Sequence, residues 1–261
     1  MEKKPFEILN EGSAEDIILI CDHASNYVPP EYNNLGLEPE QLNRHIGWDI
    51  GAADITRRIS KTVNASAIIC NTSRLVIDTN RSPDDQECIP KVSDNIIIPG
   101  NQNLKRSDYI ARTTKYFWPY HNAISNVISN YTKRSKHLKS IPMIFSIHTF
   151  TPIILSQNKA KRPWHAGVLW NRDPRVSEPL IQLLKNHSDN LVIGDNEPYS
   201  GKNFYYSLDL HAGNVGLPHC AIEVRQDLVT KPGDTIYWAD LISKSLRNIL
   251  STKKILELKY Y

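Results

Sequence analysis

Two histidines lie just past the ends of apolar runs. His23 follows the run at residues 16–21, and His148 follows the run at residues 142–147. Apolar runs of this length predict buried strands, and open α/β sheets form their sites outside the ends of such strands. A single loop histidine is more often only a hydrogen-bonding group, although imidazole is also the commonest metal ligand. Two histidines at two strand ends can converge on one ion, so the sequence predicts a metal site.

A third metal ligand is required, because a catalytic zinc ion typically has three protein ligands and a water molecule. Asp49, near the start of a predicted helix, can supply a carboxylate oxygen. An acid at that position also commonly caps or stabilises the first turn of a helix. Asn26 is the other candidate, through its side-chain oxygen. The choice between Asp49 and Asn26 stays open on the sequence alone.

Glu223 is a carboxylate inside a predicted strand, between Ile222 and Val224. A buried carboxylate is costly unless a cation or metal ion lies beside it. Near a metal ion it suits the role of a general base that activates bound water. The alternative is a structural ion pair with Arg225, which we also consider as a substrate contact.

Arg74, Asn80 and Arg81 form a cluster of hydrogen-bond donors within eight residues. The guanidinium group binds a carboxylate with two hydrogen bonds, and the neighbouring amide adds another donor. This cluster predicts a substrate that carries one or more carboxylates. The alternative is a surface network in which Asp78 or Asp85 pairs with the arginines.

Two weaker candidates for substrate contacts occur in the second half of the chain. Tyr199 lies in a turn-rich segment at residues 196–201, and His211 lies at residues 209–213. Neither has a spacing that is specific by itself.

The alternation of apolar runs with longer amphipathic segments predicts an α/β fold. The predicted strands are at residues 16–21, 66–70, 75–77, 142–147, 166–170, 191–193 and 219–224. The predicted helices are at residues 49–62, 107–136, 174–186 and 235–250, with Asp234 as an N-cap and a kink at Trp118-Pro119. This order predicts three α/β/α layers around a mostly parallel mixed sheet. Residues 1–261 are expected to form a single domain, with a long loop at residues 82–104.

Composition narrows the class of protein. With 40% hydrophobic and 23% charged residues the chain is globular, and a net charge of +3 without a dense basic stretch does not indicate nucleic-acid binding. No apolar stretch reaches the roughly 18–20 residues of a membrane span, and the N-terminus does not resemble a signal peptide. The four cysteines lack metal-type spacing. We therefore expect a reduced, cytoplasmic protein that acts on a small molecule; its oligomeric state stays open.

Taken together, these segments resemble the N-formylglutamate amidohydrolase family. The matching stretches are residues 21–29, 45–52, 71–81, 146–152, 196–201 and 216–228. That family is similar in fold to zinc carboxypeptidases and aspartoacylases, so the resemblance implies a phosphorylase/hydrolase-like, zinc-exopeptidase-like architecture. It also implies a role for each matching residue: His23 and His148 as metal ligands, Arg74 at the substrate carbonyl, Asn80 and Arg81 as a carboxylate clamp, and Glu223 as the base.

One position departs from the relatives. Where they carry a His-x-x-Glu metal motif, this chain has His23 followed three residues later by Asn26, so Asp49 becomes a candidate for the missing carboxylate. The resemblance implies a hydrolase acting on carbon–nitrogen bonds other than peptide bonds, with one divalent ion, zinc being favoured. N-formyl-L-glutamate, cleaved to glutamate and formate, is the leading substrate. The alternatives are an amidase for another N-acyl amino acid, or a non-catalytic binding protein that has lost the metal.

Overall fold

The computed structural model describes residues 3–135, 140–154, 161–203, 205–252 and 254–261. The strands are β1 (Phe6–Leu9), β2 (Ile17–Cys21), β3 (Ser66–Cys70), β4 (Val92–Ser93), β5 (Ile96–Ile97), β6 (Met143–Phe150), β7 (Ala166–Leu169), β8 (Ile193–Asp195) and β9 (His219–Arg225). The α-helices are α1 (Pro39–Leu42), α2 (Ala52–Val63), α3 (Arg106–Arg112), α4 (Trp118–Arg134), α5 (Ser177–Lys185), α6 (Tyr206–His211) and α7 (Pro232–Ser251). A π-helical segment, Thr113–Phe117, joins α3 to α4.

Within the described residues, seven strands form one mixed sheet in the order β1-β3-β2-β6-β9-β7-β8. Strands β3, β2, β6 and β9 run parallel to one another. Strand β7 is antiparallel to β9 and parallel to β8, and β1 is antiparallel to β3 at the other edge. The predicted α/β fold with a mostly parallel mixed sheet is therefore confirmed.

Successive residues of a strand point to opposite faces of the sheet, and in the buried strands the residues on both faces are largely apolar. Helices therefore cover both faces of this sheet. Helix α2 carries Ile55, Ile59 and Val63 at intervals of four, and these residues pack with α5 and α7 against one face. Helices α4 and α6 pack against the other face, through residues that include Ile124 and Leu208. The three layers leave the strand ends accessible for a site.

The central strand β6 shows why the site lies on the α4/α6 face. Phe145 and Ile147 point into the core beneath α2, α5 and α7. Ser146 and His148, which alternate with them, point to the opposite face and are also buried. Polar side chains in the carboxyl-terminal half of a buried strand need partners, so this half of β6 marks the site.

The predicted strand at residues 75–77 is wrong. These residues are buried, but they pack in a separate apolar cluster with the 82–104 segment and the π-helical segment Thr113–Phe117, away from the sheet. Side chains satisfy their backbone instead of a neighbouring strand: Asn101 donates to the carbonyl of Leu75, and Arg112 donates to that of Val76. A short buried apolar run does not by itself identify a strand.

Several boundaries also differ from the prediction. Strand β1 and the short helix α6 were not predicted, and the last helix begins at Pro232, so Asp234 lies in its first turn and is not its N-cap. The predicted kink at Trp118-Pro119 takes the form of the π-helical turn just before it. The predicted end of that helix, Lys136, lies outside the described residues.

Residues 82–104 have more structure than a loop. They contain the β4–β5 hairpin and two 3₁₀ turns, Gln86–Cys88 and Pro99–Asn101.

All four cysteines of the chain are free thiols and buried. Among the described helices, none is long and apolar enough to cross a membrane.

Candidate metal and substrate site

Three buried side chains converge at the carboxyl ends of β2 and β6 in a geometry suited to a metal ion. His23 follows β2, as predicted, whereas β6 continues to Phe150, so His148 lies within this strand and not after it. One possible ligand atom from each of His23, Asp49 and His148 lies within 4.8 Å of the other two. The Nδ1 atom of His148 lies 2.8 Å from Oδ2 of Asp49, and the Nδ1 atom of His23 lies 3.4 Å from the same oxygen. Both imidazoles therefore turn the same nitrogen toward one carboxylate.

The opposite nitrogen of each imidazole is held by a second carboxylate. Nε2 of His23 lies 2.7 Å from Oδ1 of Asp78, and Nε2 of His148 lies 3.3 Å from Oδ2 of Asp22. Ser146 adds a hydroxyl 3.0 Å from Nε2 of His148. Metal-binding histidines commonly donate their other N–H to a carboxylate in this way, which fixes the ring and leaves one nitrogen for the ion.

The carboxylates remain ionised despite their burial. Burial alone would raise the pKa of Asp22, but the hydrogen bond and charge of His148 lower it to about 2. Burial also opposes ionisation of Asp49 and Asp78, and the charges of His23 and Arg74 hold both pKa values below the usual range. The site is therefore rich in negative charge.

These residues fit a divalent cation. The Nδ1 atom of His23 is buried and has no hydrogen-bond partner in the described part of the chain. Two imidazole nitrogens and one carboxylate oxygen form the kind of three-ligand set that catalytic zinc sites use. Asn26 is not part of this set, because its half-buried side chain donates instead to Asn43. Of the two candidates that the sequence left open, Asp49 is the one that lies beside both histidines.

The backbone around Asp49 explains how it reaches the histidines. Its amide donates a hydrogen bond of 2.8 Å to the carbonyl of His23. Helix α2 begins just after it, and the N-cap residue Gly51 has φ 86°, a conformation that favours glycine. A Cβ atom at Gly51 would also lie only 2.8 Å from a methyl group of Val229. Glycine at this position therefore allows the turn that directs Asp49 toward the site.

Glu223 lies on β9 directly beside His148 of β6 in the sheet register. It is only 7% exposed, and its Oε2 atom has no hydrogen-bond partner among the described residues. Burial raises its pKa to about 7, although the positive charges of His148, Arg74 and His23 oppose this shift. A carboxyl group with a pKa near neutrality and a free oxygen is suited to proton transfer.

The structure does not bring Arg225 into the site, although the sequence suggested it as a substrate contact. Its guanidinium group bonds Asp227 at 2.7 Å and the backbone carbonyls of residues 162–164. The same bonds remove it as an ion-pair partner of Glu223. Its role is to attach the chain before β7 to the end of β9.

Arg74, Asn80 and Arg81 all line one cavity with the metal-site residues. Arg74 spans Asp49 and Asp78 with hydrogen bonds of 3.1 and 3.3 Å. Arg81 lies 3.3 Å from Asp85 and 3.7 Å from Asp78. The pairing with Asp78 and Asp85 that we considered as an alternative is thus present, while each arginine still faces the cavity.

The side chain of Asn80 is oriented by helix α6. Its Oδ1 atom accepts a hydrogen bond of 3.0 Å from the backbone amide of Ser207. Its Nδ2 atom is therefore the donor available to a ligand. Ser207 also donates its hydroxyl to Asp22 at 2.6 Å, which connects the helix to the carboxylate behind His148.

Tyr199 also lines the cavity, on the segment that follows β8. The guanidinium group of Arg162 donates to its hydroxyl at 2.9 Å and lies over its ring. This segment contains a cis Glu197–Pro198 bond and approaches β7 very closely. A Cβ atom at Gly167 would overlap the carbonyl oxygen of Glu197, so glycine permits this approach.

His211 lies behind the cavity and not in it. It stacks on His121 of α4, with Nε2 of His211 2.8 Å from Nδ1 of His121. Nε2 of His121 bonds the carbonyl of Thr79 at 3.0 Å, and Ser125 lies 3.4 Å from Nδ1 of His211. Burial lowers the pKa of both histidines to about 4. His211 therefore supports the turn before Asn80 and does not contact the cavity.

The cavity has a volume of about 190 Å³, and its lining residues fall into two chemical groups. The first group holds the charged and hydrogen-bonding side chains together with Phe150: His23, His45, Asp49, Arg74, Asp78, Asn80, Arg81, His148, Thr149, Phe150, Thr151, Tyr199, Glu223 and Gln226. The second group, which we name the neutral recess, consists of Ser146, Leu169, Tyr205, Leu208 and Ala221. The sequence did not predict the recess, Asp22 or Ser207, although Asp22 stands next to His23 just after a strand.

Comparison with known proteins agrees with this architecture. A gene product of Agrobacterium tumefaciens of known crystal structure matches with a TM-score of 0.89 and 29% identity, over 97% of each chain. An N-formylglutamate amidohydrolase from Ralstonia eutropha matches in fold with a TM-score of 0.75 and 15% identity, over 97% of this chain and 99% of that one. None of the curated proteins matches this chain.

A family model described as N-formylglutamate amidohydrolase matches residues 15–230, which include every residue of the candidate site. The class is therefore that of hydrolases acting on carbon–nitrogen bonds. Within that class, the chain belongs to the N-formylglutamate amidohydrolase family, as its motifs predicted.

Proposed function

We propose that the protein is a metal-dependent amidase that hydrolyses an N-acyl amino acid, with N-formyl-L-glutamate as the leading substrate. The observation that carries this proposal is the position of Glu223. Its buried carboxyl oxygen, which has no hydrogen-bond partner among the residues that the structure describes, shares a cavity with the His23–Asp49–His148 triad and with Arg81. A proton-transfer group, a cation site and a carboxylate-binding arginine in one cavity are what this hydrolysis requires.

His23, Asp49 and His148 would hold the divalent ion. Such an ion, when bound, acidifies water and polarises a carbonyl oxygen. Glu223 accepts the proton of the attacking water and delivers it to the nitrogen of the leaving amine. The water oxygen bonds to the acyl carbon and the carbon–nitrogen bond breaks, so N-formylglutamate gives formate and glutamate.

Two other groups orient the substrate. Arg74 reaches the cavity from the side of Asp49, where it can stabilise negative charge that develops on the carbonyl oxygen. Asn80, whose amide is oriented by Ser207, and Arg81 hold the α-carboxylate with charge-assisted hydrogen bonds. We also propose that the whole chain, residues 1–261, forms one catalytic domain.

The test is a panel of N-acyl amino acids assayed with the purified protein, with the chelator-treated protein, and after adding back zinc, manganese or cobalt. We expect release of the free amino acid, its loss with the chelator, and its recovery with a metal ion. Binding of N-acyl amino acids without turnover under all these conditions would instead identify the non-catalytic binding protein.

A second candidate is an amidase of the same mechanism with another acyl group or amino acid. The neutral recess favours it, because N-formylglutamate has only the two methylene groups of its side chain to place against these uncharged residues. The same panel separates the two candidates through kcat/KM.

A further inference from the structure

The carboxylate clamp, Asn80 and Arg81, lies in a turn, outside the strands and helices of the described chain. Its backbone is therefore not held by a regular ladder of hydrogen bonds, and contacts with other elements must fix it. The amide of Asn80 donates to Oδ1 of Asp78 at 2.9 Å, the same oxygen that lies 2.7 Å from Nε2 of His23. The turn is thus bonded to the metal site on one side.

Thr79, at the start of this turn, is buried and is bonded on the side that lies behind the cavity. Its carbonyl oxygen lies 3.0 Å from Nε2 of His121 and 3.1 Å from the hydroxyl of Ser207. That hydroxyl has one hydrogen atom, and it lies closer to the carboxylate of Asp22, at 2.6 Å. Because the hydrogen bond to a charged acceptor is the stronger one, Ser207 directs its hydrogen to Asp22. His121 is then the donor that holds the carbonyl of Thr79.

The bond from His121 acts on the clamp because it holds one end of a rigid peptide unit. The carbonyl of Thr79 and the amide of Asn80 belong to the same planar group. His121 holds the oxygen of this group, and Asp78 holds its N–H. Loss of either bond frees a backbone torsion beside Asn80, so its side chain can leave the amide of Ser207, to which it is bonded at 3.0 Å.

The ring of His121 is fixed from several sides. It is buried on α4, and it stacks on His211, whose Nε2 atom lies 2.8 Å from its Nδ1 atom. Phe117 packs against it with the ring centroids 4.3 Å apart. His121 is not one of the described residues that line the cavity, so its effect on the reaction must reach the site through Thr79.

We propose that His121 is a positioning residue for the carboxylate clamp. Its hydrogen bond to Thr79 sets where Asn80 and Arg81 lie relative to the metal ligands, and so sets the affinity for the α-carboxylate of the substrate. This inference rests on the proposed amide hydrolysis. It applies to N-formylglutamate and to other N-acyl amino acids alike, since all of them carry that carboxylate.

The experiment compares His121→Phe with His121→Gln through kcat and KM for N-formylglutamate and for its α-amide, which lacks the carboxylate. Phenylalanine keeps an aromatic ring without the N–H group, whereas the amide of glutamine can reach the position of Nε2 and donate to Thr79. We expect His121→Phe to raise KM for N-formylglutamate about 3- to 10-fold, the net contribution of one hydrogen bond. The kcat value and the KM for the α-amide should stay close to wild type, because only binding of the carboxylate is weakened. His121→Gln should restore the wild-type KM.

Two controls separate positioning from a general loss of stability. Tyr131→Phe removes a hydrogen bond of the same helix, to Asp16, about 15 Å further along its axis. It should lower stability and leave the KM for both substrates unchanged. In an Arg81→Ala background, where the clamp has lost its cation, His121→Phe should raise KM for N-formylglutamate clearly less than it does in wild type.

An unchanged KM in folded His121→Phe, or equal rises for N-formylglutamate and its α-amide, would overturn the inference and leave the proposed amidase intact. A rise that His121→Gln does not reverse would also overturn it, because the ring and not its hydrogen bond would then be the important feature. If His121→Phe does not fold, His121→Asn takes its place, since the shorter amide can bond His211 but does not reach Thr79. Failure of the wild-type protein to hydrolyse any N-acyl amino acid would overturn the proposed function, and this inference with it.

Discussion

Replacing Glu223 by glutamine tests the proposed reaction most directly. The amide has the size of the carboxyl group, and Oε2 of Glu223 has no hydrogen-bond partner in the described residues, so the change breaks no bond of that oxygen. The amide cannot accept the proton of water. Loss of a general base typically lowers the rate about 10²–10⁴-fold, which corresponds to roughly 2.7–5.4 kcal/mol of transition-state stabilisation.

The assay measures kcat, metal content and folding of Glu223→Gln beside wild type. The metal ligands His23, Asp49 and His148 are unchanged, so we expect a normal metal content with a greatly reduced kcat. Near-normal kcat in a metal-loaded variant would refute the role of Glu223 in proton transfer and make it a structural residue.

The same variant makes a separate prediction for stability. Burial raises the pKa of Glu223 from 4.5 to about 7, so the folded protein holds this proton more tightly than the unfolded chain. The resulting stabilisation is complete below pH 4.5 and is lost as the pH rises through about 7. In metal-free protein, the free energy of unfolding of wild type should therefore fall across this range relative to that of Glu223→Gln. The difference in favour of the variant should grow by up to about 1.4 kcal/mol per pH unit. A difference that does not vary with pH would show that Glu223 has an ordinary pKa.

Three further predictions concern the rest of the site. Protein purified without chelator should contain about one divalent ion per chain, bound through His23 and His148; elemental analysis that finds none, with no uptake of added zinc, manganese or cobalt, would reject the metal site. Arg81→Ala should lower kcat/KM for N-formylglutamate and N-formylglutamine about 10- to 150-fold, from the loss of roughly 1.5–3 kcal/mol, but spare the α-amide of N-formylglutamate; equal losses on all three would mean that Arg81 contacts no carboxylate. Gly167→Ala should lower thermal stability by about 1–3 kcal/mol and raise KM, because its methyl group displaces the backbone at Glu197; an unchanged melting temperature and KM would contradict this.

Most strands of the sheet, and the polar residues in or beside them, could be located from the sequence for a physical reason. A polar residue such as His23, His148 or Glu223 stands out in or beside an apolar run because burying it requires a partner. The alternation of apolar runs with amphipathic segments also predicts that helical layers cover both faces of the sheet. The same reasoning failed at residues 75–77. Their apolar side chains are buried in a second cluster, but burial alone does not indicate that the backbone pairs with a strand.

The supporting residues could not be predicted from spacing. Asp22 and Asp78 are single acids in turns, and only the folded chain shows that each bonds a different histidine. Helix α6 has six residues, too few for a clear amphipathic period, yet it orients Asn80 and covers the recess. Arg225 had a suitable position in the sequence, but backbone carbonyls from a distant segment occupy its guanidinium group.

The stacked histidines behind the site have a consequence for where each hydrogen atom can be. The carbonyl of Thr79 can only accept, so Nε2 of His121 must donate to it and Nδ1 of the neutral ring must accept from His211. His211 then has a bare Nδ1, which is left to the hydroxyl of Ser125. All the donors point the same way, from α4 through both rings to the turn before Asn80. The neutral row has one tautomeric arrangement, and an extra proton on Nδ1 of His121 would require His211 to move its own proton from Nε2 to Nδ1.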